Sequence, residues 1–136
     1  MYLHSKYGFV EADRWDGSRL PRADHQSLLD QLAGPVIVVR SRHQATLSDL
    51  AALLPTTRTI PVLESPQGWD YEWRMYLTAT EWGAVMAAIA MDLDYRNFKS
   101  WHHDHRPEHY KLAYAIWDAA CRDRAASTYG SEDDKS

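Results

Sequence analysis

The chain reads as a single α+β domain: a mostly antiparallel four-stranded sheet covered on one face by helices. Three observations predict it. Val36-Ile37-Val38-Val39 is β-branched throughout, as in a strand buried on both faces. Residues 71–78 alternate, with Tyr71, Trp73, Met75 and Leu77 set against Glu72, Arg74, Tyr76 and Thr78. That period of two describes a strand with one face on a core and the other toward water. From Thr78 onward the spacing changes to helical, with Trp82, Val85, Met86, Ile89 and Leu93 on one stripe.

The elements follow in order. Tyr7–Ala12 is the first strand, closed by the turn-rich loop around Asp16-Gly17 and Pro21. A small helix follows, with Asp24 as its cap, Leu28, Leu29 and Leu32 on one face, and Gly34-Pro35 as its stop. After the Val36 strand, Thr46 and Asp49 form a capping-box pattern, Leu47, Leu50, Leu53 and Leu54 make a stripe, and Pro55 ends the helix. Residues 58–65 form an edge strand because Pro61 cannot donate to a ladder. Its short link to the next strand suits a hairpin. Thr78 and Glu81 supply the box that starts the following helix. A last helix begins at Pro107 and buries Tyr110, Ala113, Tyr114, Trp117 and Ala120 or Cys121. The domain spans 1–125, and 126–136 is expected to be a disordered acidic tail.

Composition narrows the function. At 136 residues with 45% hydrophobic and 25% charged content, the chain can bury a core without a metal or disulfide. The single Cys121 rules out an intrachain disulfide and a cysteine zinc site, and it suits a reduced cytoplasmic setting. Neither a signal peptide nor an apolar run of about 20 residues is present, so no membrane partner is expected. No cofactor is expected, and no nucleophile elbow, phosphate loop, dinucleotide fingerprint or C-x-x-C motif points to an enzyme.

The richest chemistry lies in Asp94–Lys111, which holds His102, His103, His105 and His109. Between Tyr95 and Lys111, four cations (Arg96, Lys99, Arg106 and Lys111) oppose Asp104 and Glu108, leaving +2 against −6 for the remainder of a chain of net −4. One continuous helix would place His102, His105 and His109 on one face, as a metal site would need. Pro107 interrupts such a helix, so His102, His103 and His105 are expected in a connection, and no metal is expected there. The cations and aromatics of this stretch also describe a small nucleic-acid grip, the alternative function. The leading expectation is a protein partner. Trp15, Trp69 and Trp101 all fall between regular elements, where an indole is hard to bury and often anchors an interface. The expected surface therefore comprises Trp15, Trp69, Arg96, Lys99, Trp101, His102, His103, His105, Arg106 and Lys111. A homodimer would use the same kind of patch.

The strand with Tyr71 and Arg74, the Thr78-initiated helix, the string Asp94-Tyr95-x-Asn97-Phe98-Lys99 and the helix with Tyr114 and Trp117 form a pattern over roughly residues 70–120. In this it resembles small accessory proteins of actinobacteria and their phages. That resemblance brings no activity with it. It implies a phage or mobile-element setting, where small acidic proteins often inhibit host defence proteins, anti-CRISPR proteins among them. The string itself looks like a helix end, with Asn97 suited to left-handed geometry.

Overall fold

The computed structural model describes residues 1–55, 58–93 and 98–133, without the side chains of 98–100, 102, 109 and 123–133. Five strands pair antiparallel throughout: β1 (Tyr2–Ser5), β2 (Gly8–Arg14), β3 (Val36–Ser41), β4 (Leu63–Glu64) and β5 (Trp73–Thr78). Their order across the sheet is β1-β2-β3-β5-β4. The α+β class with an antiparallel sheet holds, and the expected four strands become five. The added strand is β1, which forms a hairpin with β2 through Lys6-Tyr7. Gly8 permits that turn. Its φ is +128°, and a Cβ there would lie 2.5 Å from Thr46 Oγ1. The stretch containing Pro61 contributes only the two residues of β4, at the sheet edge where a missing donor does least harm.

The chain divides into two compact units, Met1–Leu93 and Asp94–Ser136. In the first, α2 (Gln44–Ala51) and α3 (Ala79–Met91) cover one face of the sheet. Val10, Ala12, Val39, Met75 and Leu77 meet Leu47, Leu50, Trp82 and Val85 in the larger core. Each such Val, Leu or Met side chain contributes roughly 1.5–3 kcal/mol by leaving water. The opposite face is not left to solvent, which corrects the one-face expectation. There α1 (Ala23–Asp30) and the segment after β2 close a second core, in which Leu20, Leu29, Val38 and Tyr76 are buried.

Helix starts were only partly legible. Thr78 Oγ1 accepts from Glu81 N at 3.1 Å, and Glu81 Oε1 accepts from Thr78 N at 2.9 Å, so the box at α3 forms as expected. The box proposed at Thr46 does not form, because α2 begins two residues earlier at Gln44 and Thr46 is buried beside Gly8. Likewise Asp24 sits inside α1, where Oδ1 accepts from the adjacent His25 N, while the cap position is Arg22.

The second unit is a pair of packed helices, α4 (Phe98–His105) and α5 (Pro107–Asp133). Pro107 opens α5, as its missing N–H favours. The break is confined to Arg106. The backbone of 102–105 is therefore helical, which corrects the expected connection. α5 runs through the stretch expected as a tail to Asp133, and 134–136 lie outside the described residues. Among the described residues, no helix is long and apolar enough to cross a membrane.

Candidate functional site

Trp15 and Trp69 are both half-buried and both packed on the second core of the first unit. Trp15 follows β2 directly, and its backbone N–H still bonds Val36 O at 2.8 Å. Its Nε1 donates to Ser18 O at 3.1 Å, and its ring meets Tyr76 edge-on at 6.4 Å. Trp15 also lines a cleft of about 630 Å³ together with Arg14, Asp16 and Pro35. Trp69 follows the turn at Gly68, whose φ is +88°, and lies 4.0 Å from the guanidinium carbon of Arg74. Sequence reasoning placed these two indoles on a contact surface; the fold uses much of each to seal a core.

Arg74 and Tyr76 belong to the alternating strand, on the side expected to face water. Burial of both corrects that expectation: Arg74 is 6% exposed and Tyr76 2%. Tyr76 is bonded to His25, itself only 1% exposed. His25 Nδ1 lies 2.7 Å from the Tyr76 hydroxyl and Nε2 lies 2.9 Å from Glu64 O. A carbonyl only accepts, so Nε2 carries the proton and Nδ1 accepts from the phenol. Burial is the main cause that pulls the His25 pKa below 6.5; Arg22 and Arg74 act the same way, against the Glu64 bond and Asp24. Arg74 donates through Nε to Ser65 Oγ at 3.1 Å. Directly across the ladder from Arg74 stands Arg40, whose Nη1 reaches Asp13 at 2.9 Å and Glu11 at 3.3 Å.

Of the remaining expected residues, Trp101, His103, His105, Arg106 and Lys111 lie at the α4–α5 corner of the second unit. Trp101 is half-buried and stacks on the His105 ring at 4.8 Å, while His105 Nδ1 donates to Trp101 O at 3.0 Å. His103 is exposed, pairs with Asp104 at 3.2 Å, and meets Tyr110 edge-on at 5.0 Å. Arg106 is half-buried and Lys111 exposed. Arg96 lies outside the described residues, as do the side chains of Lys99 and His102. Among the described residues, no three His, Cys, Asp or Glu side chains gather as a metal ion would need.

Beyond that corner, α5 differs from expectation. Ala113 is buried and Tyr110 half-buried, but Tyr114 is 45% and Trp117 47% exposed, and Cys121 is exposed too. The Tyr110, Tyr114 and Trp117 rings form a ladder with centroids 6.2 and 5.6 Å apart. Leu112 and Ile116, on another flank of the same helix, are exposed as well. The signal was present in the sequence, because at about 100° per residue positions 112 and 116 fall roughly 100–160° around the wheel from 110, 114 and 117. Comparison with family models, curated proteins and solved structures finds no match.

Proposed function

We propose that this chain is a non-enzymatic protein-binding accessory domain whose contact surface is the second unit, centred on the aromatic ladder of α5. The observation that carries this reading is the exposure of Tyr114 and Trp117 together with Leu112 and Ile116, within six residues of one helix. A helix apolar on more than one side is normally enclosed by protein. Tyr and Trp are also the residues that most often dominate binding energy at interfaces. The Trp101–His105 stack and Lys111 extend the same unit toward a polar rim. Trp15 and Trp69 contribute at most their outer edges. Inhibition of a host defence protein by a phage or mobile-element product is the most concrete form of the proposal, supported by the resemblance of residues 70–120 to actinobacterial and phage accessory proteins.

Capture from an actinobacterial lysate tests it, comparing the wild-type chain with the Tyr114→Ala/Trp117→Ala double variant. A host protein retained in stoichiometric amount by the wild type and bound at least about thirtyfold more weakly by the variant is the expected result. Equal retention by both would remove α5 from the interface. A wild-type chain that sediments as a dimer, with the variant monomeric, would assign the ladder to a second copy of the chain.

A further inference from the structure

The first unit holds a second site of a different kind. Arg74 is 94% buried, by the complement of its 6% exposure, and among the described residues no carboxylate lies within ion-pair distance of it. Its charge is met instead by the Trp69 ring at 4.0 Å, by the neutral Ser65 and Tyr76 hydroxyls and, at longer range, by Glu11. Its direct cross-strand neighbour is a second cation, Arg40, whose Nε is buried without a hydrogen-bond partner. Like charges paired directly across a ladder destabilise it, and a buried donor left unsatisfied costs about 1–3 kcal/mol. Both arginines line one cleft of about 370 Å³, with Glu11, Trp69, Asp70 and Tyr71 as its other main walls. That volume lies in the range of small-molecule sites.

We propose that this cleft binds a small organic carboxylate, its oxygens on the Arg74 and Arg40 guanidiniums and its body against Trp69 and Tyr71. The local charge at Arg74 selects the class. Glu11 and Asp13 answer Arg40, whereas Arg74 has no carboxylate within ion-pair distance among the described residues, so a single negative charge is what it lacks, and Asp70 in the wall limits the site to one. A dianionic phosphate would add repulsion from these acids. The flat walls favour a carboxylate with an aromatic or planar body over acetate. The planar fork of arginine matches two carboxylate oxygens, which an ammonium cannot do. Burial, and next the charge of Arg40, already lower the Arg74 pKa, so a bound anion relieves an unfavourable pair.

Titration of the full-length protein with sodium benzoate, acetate and inorganic phosphate, followed by amide chemical shifts, tests this. Saturable shifts confined to residues 11, 40, 65 and 68–74 are expected with benzoate, with acetate and phosphate each at least about tenfold weaker. Arg74→Lys should weaken benzoate by about tenfold or more while leaving the spectrum folded. If that variant does not fold, the wild-type titrations decide alone. No shifts with benzoate up to about 50 mM, shifts centred on α4 and α5, or phosphate binding tighter than benzoate would each overturn the proposal.

Discussion

Tyr76→Ala should cost the fold about 3–5 kcal/mol, as much as Leu77→Ala one residue along on the opposite face. The two positions report on the two cores. Leu77 is fully buried under α2 and α3, and Tyr76 is nearly so under α1. Removing the phenol opens a cavity between Val38, Leu29 and Trp15 and takes away the hydroxyl that His25 Nδ1 accepts from. Urea unfolding of the two variants measures the comparison. Were the second face of the sheet open to water, Tyr76→Ala would fall within about 0.5 kcal/mol of wild type, as surface substitutions do.

His25→Ala should cost about 2–4 kcal/mol, because it leaves both the Tyr76 hydroxyl and the Glu64 carbonyl without the imidazole. The wild type should also show a pH dependence that the variant lacks. Burial holds the folded pKa of His25 below its ordinary 6.5. Above that value the ring is neutral in both states and contributes no slope. As pH falls below about 6.5, the unfolded chain takes up the proton first, so stability drops by up to about 1.4 kcal/mol per pH unit until the lower folded value is reached. Asp16, Asp24 and Asp92 act in a separate, more acid window. Hydrogen bonds from Ser18, Arg22 and Lys6, respectively, hold them below 3.8. Chemical denaturation between pH 5 and 8 separates the two; equal slopes for wild type and His25→Ala in that range would refute the buried neutral imidazole.

Local rules were legible where a residue type has one physical solution. Thr78 with Glu81, Pro107 at a helix start, and the β-branched run of β3 each behaved as their chemistry dictates. What could not be read was tertiary cover. Arg74 and Tyr76 look like a wet strand face until α1 is laid over them, and nothing in their own spacing announces that helix. β1 lacks an Asn-Gly signal, and its pairing depends on a glycine whose need is set by Thr46, almost forty residues away. The burial of individual aromatics was hidden for the same reason. Loop indoles were assumed to be open and helical aromatics closed, whereas Trp15 and Trp69 rest on a core and Tyr114 and Trp117 stand exposed. At α4, the influence of Pro107 was extended too far upstream; it displaces one residue and leaves 98–105 helical.

Thermal unfolding of Trp15→Ala, Trp69→Ala and Trp117→Ala, measured side by side on the isolated protein, bears most directly on where the contact surface lies. Expected are losses of roughly 5 °C or more for the first two, which pack on the second core, and a change within about 2 °C for Trp117→Ala. The reverse order, with Trp117 essential to the melting temperature and Trp15 and Trp69 indifferent to it, would return the surface to the loops and contradict the assignment to α5.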